Sequence, residues 1–147
     1  ENYGVLSKRE TMSRLEVYLE QYVLSVGVEA RTTVEMAKTV VFPAAMRYQG
    51  QLASTAASMK AVGSNVDTTV LDKVTALIAR LEGAVSALEE ELAHETGETT
   101  TLAHADHCCT VVLPAMLEVR GAADELEGIV ADDLWPLATY QEMLFIK

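Results

Sequence analysis

The sequence predicts an all-α protein, an antiparallel three-helix bundle with an over-long, kinked first helix and an apolar C-terminal tail. Three observations predict it. Half of the 147 residues are hydrophobic while only 5% are aromatic, and Gly and Pro are scarce, a composition that favours helices. Apolar or small residues recur at steps of three and four along three separate runs, and a repeat averaging 3.5 residues implies left-handed, knobs-into-holes packing. The breaks between runs are short, so successive helices run antiparallel and the first and third run parallel.

Residues 1–7 read as a linker, because the chain opens on Glu1 rather than Met and looks already under way. Ser7 with Glu10 makes a capping box that starts the first helix, over residues 8–62. Its stripe runs through Leu15, Leu19, Tyr22, Val26, Ala30, Thr33, Ala37, Val41, Ala44, Tyr48 and Leu52. Gly63-Ser64-Asn65 breaks the chain, and Asp67 caps a second helix over 67–95 with Leu71, Val74, Ile78, Leu81, Val85, Leu88 and Leu92 in line. Thr96-Gly97-Glu98-Thr99 turns into a third helix over 99–133, striped by Ala105, Cys109, Val112, Met116, Val119, Ala123, Leu126 and Val130. Trp135-Pro136 stops it, since the residue before a proline avoids helical geometry. These helices form one domain, 8–133, followed by an apolar tail, 134–147.

One phrase occurs twice, Thr39-Val40-Val41-Phe42-Pro43-Ala44 and Thr110-Val111-Val112-Leu113-Pro114-Ala115. A proline inside a helix removes a donor and crowds the carbonyl four residues back, at about 3 kcal/mol. Kinks are expected at Pro43 and Pro114, near Thr39 and Thr110, with both prolines at one level of two parallel helices and the threonine hydroxyls bonded to nearby carbonyls. A chain reversal at Pro43, giving four helices, is disfavoured because Phe42-Pro43-Ala44-Ala45 lacks the residues of a tight turn.

The first helix is ~80 Å long against ~45–50 Å for the others. The excess is expected below the bundle, leaving the stripe from Leu15 to Ala30 uncovered. Leu15, Leu19, Tyr22 and Val26, with Trp135, Tyr140, Leu144 and Phe145 of the tail, are therefore the candidate interaction residues.

A net charge of −11 argues against nucleic acid and anionic membranes as partners. No run reaches the ~18 apolar residues of a membrane span. Adjacent Cys108 and Cys109 are poorly placed for a disulfide with each other, which fits a reducing, cytoplasmic setting. His104, His107 and Cys108 share a helical face, but no fourth ligand accompanies them, so no metal site is assigned. Glu91-Leu92-Ala93-His94 lacks the second copy that a bundle di-iron site needs. Glu35 and Lys38 are spaced for a helical ion pair, and Arg47 and Arg120 could reach a carbonyl freed by a proline on the partner helix. No phosphate loop, nucleophile elbow or convergent carboxylate set appears, so no catalytic residue is assigned.

Lys8-Arg9-Glu10, Ser13 through Tyr22, Glu29-Ala30-Arg31-Thr32 and Pro43 through Gln49 resemble the C-terminal region of type III glutamine synthetases. Pro114-Ala115-Met116, Arg120, Asp124, Leu126-Glu127, Trp135-Pro136, Tyr140 and Leu144-Phe145 are similar to the end of that region. The resemblance implies a non-catalytic accessory domain of an ATP-dependent glutamate–ammonia ligase that forms large homo-oligomers. It implies ATP and a divalent metal, Mg or Mn, in an upstream catalytic part, and no cofactor in this chain. The implied partners are that catalytic domain and neighbouring subunits, met through the lower first helix and the tail. The alternative from the residues alone is a free-standing helical adaptor or phosphorelay module.

Overall fold

A computed structural model describes residues 4–93, 100–138 and 140–144, and all its regular elements are helical. Helix α1 is α-helical over Lys8–Met36 and Phe42–Ala61, with a π turn over Ala37–Val41 between them. Helix α2 covers Thr69–Ala93. Helix α3 repeats the construction of α1, with α-helix over Thr101–His107, a π turn over Cys108–Val112 and α-helix over Leu113–Glu127. A 3₁₀ turn, Asp132–Leu134, and a short helix α4, Tyr140–Leu144, complete the chain. Among the described residues no helix is long and apolar enough to cross a membrane.

Local chemistry sets the helix ends. Glu10 Oε2 accepts the Ser7 N–H at 2.7 Å while Ser7 Oγ accepts the Glu10 N–H at 3.3 Å, closing the capping box. Gly63, at φ +77°, ends α1 by sending the Ser64 N–H back to the Met59 carbonyl at 3.1 Å. Asp67 Oδ1 accepts the Thr69 N–H at 2.9 Å before α2, and Thr100 Oγ1 accepts the Ala103 N–H at 3.3 Å at the start of α3. The expected turn at Thr96–Thr99 lies outside the described residues. The third helix ends at Glu127 instead of reaching 133. Gly128, a weak helix former, caps it, and the N–H groups of Ile129 and Val130 both turn back to the Leu126 carbonyl, at 3.0 and 2.8 Å.

Both prolines sit at the second position after a π turn. The Phe42 N–H bonds to the Ala37 carbonyl and the Leu113 N–H to the Cys108 carbonyl, five residues back in each case. The wider turn gives each proline ring room where an α-helical turn would drive it against the carbonyl of Thr39 or Thr110. Thr39 Oγ1 donates to the Glu35 carbonyl at 2.7 Å and Thr110 Oγ1 to that of Asp106 at 2.8 Å, the same bond in both copies. Backbone angles stay helical through Val41 and Phe42, so α1 continues past Pro43 without reversing.

The π turns also rephase the core. A turn closed by i→i+5 bonds takes more residues, so positions four apart stay aligned while positions three apart do not. Ala37 with Val41, and Cys108 with Val112, therefore face inward as pairs. Cys108 is buried and Cys109 exposed, the reverse of the expected stripe, and further along Ala122 is buried in place of Ala123. The rest of the core follows the heptads, with Val74, Leu81, Leu88 and Leu126 enclosed.

Cross-helix contacts give the register. Tyr22 lies beside Cys109, Lys38 Nζ reaches Glu89 on α2 at 2.6 Å, and Gln49 donates to Thr75 at 2.8 Å. With Cys109 level with Tyr22, Pro114 lies beside residues near Gly27, about 15 residues or ~22 Å below Pro43. The expectation of prolines at one height is therefore overturned. Connection lengths alone did not show that α3 starts low on α1 and stops early.

The same register corrects the uncovered stripe. The first turns of α3 pack on lower α1, so Val26 and Ala30 are buried, Leu19 and Tyr22 are half-buried, and only Leu15 stays largely exposed. Much of the extra length of α1 lies at the other end, above α3. There Leu134, Trp135 and Leu137 pack against the core and Leu134 meets α1 near Arg47 and Gln51. The tail thus meets α1 beyond the end of α3, while most of the last turns of α1, with Met59 and Val62, stay exposed.

Leu88→Ala should lower stability by about 2–5 kcal/mol, because a fully enclosed leucine leaves a cavity; urea denaturation monitored by circular dichroism measures this. The Ser7 hydroxyl, then its N–H, hold the Glu10 carboxyl below its ordinary 4.5. Its folded pKa is depressed, so capping-box stabilisation is present above the unfolded value and is lost as pH falls through the folded one. Amides of the first turn of α1 should lose hydrogen-exchange protection selectively as pH is lowered through that range.

Candidate functional site

Two kinds of feature stand out: an apolar groove at the lower end of α1, and cavities of mixed lining beside the π turns. The groove is formed where α1 meets the start of α3, and it is lined by Met12, Leu15, Leu19, Thr101 and Leu102 around a volume of about 530 Å³. Met12 is 56% exposed, Leu15 46% and Leu102 62%. Three more large apolar side chains, Val17, Leu24 and Val28, are exposed on the opposite face of the same helix. Their spacing, i, i+7 and i+11, was available in the sequence but was hidden by the stronger stripe that packs the core.

The expected interaction residues do not gather at one place. Leu15 and Leu19 line the groove, Tyr22 and Val26 pack inside the bundle, and Trp135 packs against the core higher up. Tyr140 begins α4, whose Leu144 is exposed, while Phe145 lies outside the described residues.

Each π turn borders a cavity closed on the far side by α2. Beside the first, Ala37, Lys38 and Phe42 face Leu81, Val85 and Glu89 across about 550 Å³, with the Lys38–Glu89 ion pair at 2.6 Å on its rim. Lys38 thus pairs between helices and not with Glu35; three residues on α1 separate those two, but α2 offers a closer carboxylate. Beside the second π turn, His107, Cys108 and Val112 of α3 face Glu91 and Leu92 of α2 and Gly27 and Arg31 of α1, around about 280 Å³. His107 Nε2 is buried without a hydrogen-bond partner, and Glu91 Oε2 stands 3.7 Å from it.

The proposed neighbours of the prolines also behave differently from expectation. Arg47 Nε donates to the Pro43 carbonyl of its own helix at 3.2 Å, and Arg120 pairs with Asp124 at 3.4 Å. Neither reaches the partner helix, because the prolines it would serve are at different heights. Arg80 of α2 makes the cross-links instead, to Glu125 at 2.6 Å and Glu118 at 3.5 Å on α3.

His104, His107 and Cys108 all border the second cavity but are not placed as a set of metal ligands. His104 is exposed, Cys108 points into the core, and among the described residues no group of three His, Cys, Asp or Glu side chains is placed to hold a metal ion. His94, and with it the Glu91-x-x-His94 pattern, lies outside the described residues. Burial pushes the Cys108 thiol up from its ordinary range, and burial followed by the adjacent Cys109 pushes the Tyr22 phenol up as well. Neutral thiols buried in apolar surroundings are unreactive. Iodoacetamide should therefore label Cys109 in the folded chain and Cys108 only after denaturant is added, as read by peptide mass spectrometry.

Residues 1–60 match the family described as glutamine synthetase C-terminal domain. Over nearly its whole length the chain is also similar to curated relatives. It is 28% identical to the glutamine synthetase of Bacteroides fragilis (strain YCH46), across 97% of this chain and 21% of that protein. It is 29% identical to the glutamine synthetase of Butyrivibrio fibrisolvens, across 97% and 21%, and 29% identical to the type-3 glutamine synthetase of Dictyostelium discoideum, across 98% and 21%. The chain spans about a fifth of the length of these relatives.

Proposed function

Because this chain is related to the C-terminal domain of glutamine synthetases, we propose that it is the non-catalytic accessory domain of a cytoplasmic ATP-dependent glutamate–ammonia ligase. It acts by docking against the catalytic part of the same protein or of a neighbouring subunit and so shapes a homo-oligomer. ATP and Mg or Mn are bound upstream, in the catalytic part. The observation that carries the docking role is the groove at the lower end of α1, where Met12, Leu15 and Leu102 are exposed together at a helix junction. Exposed apolar side chains gathered at one place mark an interaction site more often than a free surface. The α1 wall of the groove, with Met12, Leu15 and Leu19, lies within the span matched to the family; Thr101 and Leu102 lie outside it.

In the full-length parent, Leu15→Arg should release the domain from its partner surface. Size-exclusion chromatography with light scattering should then show a smaller assembly, with ligase activity falling in parallel. The same substitution in the 147-residue chain should leave its circular dichroism unchanged, since Leu15 is already largely exposed. An unchanged assembly and activity in the parent would refute the docking role.

A further inference from the structure

We propose that the cavity beside the second π turn is a binding site for a free α-amino acid with an apolar side chain. Arg31 of α1 and Glu91 of α2 line this one cavity from different helices. Among the described residues Arg31 forms no ion pair, and Glu91 has a single ion-pair contact, to His107 Nε2 at 3.7 Å, too long for a hydrogen bond. Two opposite charges that face the same space without meeting are complemented by a ligand that carries both. An α-carboxylate would pair with the Arg31 guanidinium and an α-ammonium with Glu91.

Three further observations support the assignment. Gly27 lies beneath Arg31, where a Cβ would stand 3.4 Å from the guanidinium, so that group rests directly on the α1 backbone at the cavity wall and a branched side chain at 27 would displace it. His107 Nε2 is buried without a partner, a vacancy that folded proteins seldom leave and that a ligand oxygen would fill. Leu92 and Val112 supply an apolar wall for the side chain. A volume of about 280 Å³ lies just under the ~300–1,000 Å³ of drug-sized pockets and suits a metabolite of leucine size. Overall charge favours the same class, since a chain at −11 repels free anions but not a net-neutral zwitterion.

This site is separate from the docking groove and stands whether or not the assembly role does. Isothermal titration calorimetry of the 147-residue chain with leucine, acetate, n-butylamine and inorganic phosphate tests it. Leucine should bind saturably. Acetate and n-butylamine, which carry one charge each, and phosphate should bind at least about ten-fold more weakly. Arg31→Gln and Glu91→Gln should each weaken leucine about ten-fold or more while circular dichroism stays unchanged, and Gly27→Val should do the same by displacing the guanidinium. Valine and methionine serve as second probes of the apolar wall. Failure of all three amino acids to bind up to ~10 mM, or equal leucine affinity in the Arg31→Gln and Glu91→Gln variants, would overturn the proposal.

Discussion

A proline has no N–H to offer, and two of them stand inside the long helices of this bundle. The wider turn that makes room for each ring governs much of what surrounds it. By taking up an extra residue, each π turn changes which side chains face inward, and so Cys108 is enclosed while Cys109 meets solvent. The same widening opens space beside the helix, and a cavity lies against each π turn with α2 forming the opposite wall. The threonine four residues before each proline repeats one hydroxyl-to-carbonyl bond in both helices. The duplicated phrase is thus a duplicated backbone device.

Position along the bundle decides what each copy does. The first lies high on α1, where Lys38 finds Glu89 and the cavity rim is closed by an ion pair. The second lies ~22 Å lower, beside Gly27 and Arg31, where opposite charges line the space without meeting. Had the two been level, as equal-length helices would place them, the two turns would have pressed on each other instead of on α2. The offset also assigns the tail its place: Leu134 meets α1 near Arg47 and Gln51, beyond the end of α3, while the groove lies at the other end of α1.

The proposed docking role and the proposed amino-acid site draw on different parts of the molecule. The groove is apolar and sits at the lower end of α1, whose side of it lies within the residues that match the glutamine synthetase C-terminal domain. The cavity combines charged and apolar walls and is built from all three long helices.

The sequence by itself determined the class of fold, the number of long helices, their approximate ends and most of the core, because heptad spacing and capping residues act within a few residues of chain. Ser7 with Glu10, Gly63 and the α2 stripe are all legible in this way. It also held the family resemblance in the blocks around Lys8–Tyr22 and Pro43–Gln49. Only the tertiary structure decided the relative height of the helices, since the sliding of one parallel helix past another is fixed by side-chain packing across the interface and leaves no mark on spacing within either. From that height follow the burial of Val26 and Ala30 and the pairing of Lys38 with Glu89. The cavity shared by Arg31, Glu91 and His107 belongs to the same class, because three residues from three helices meet only once the register is set.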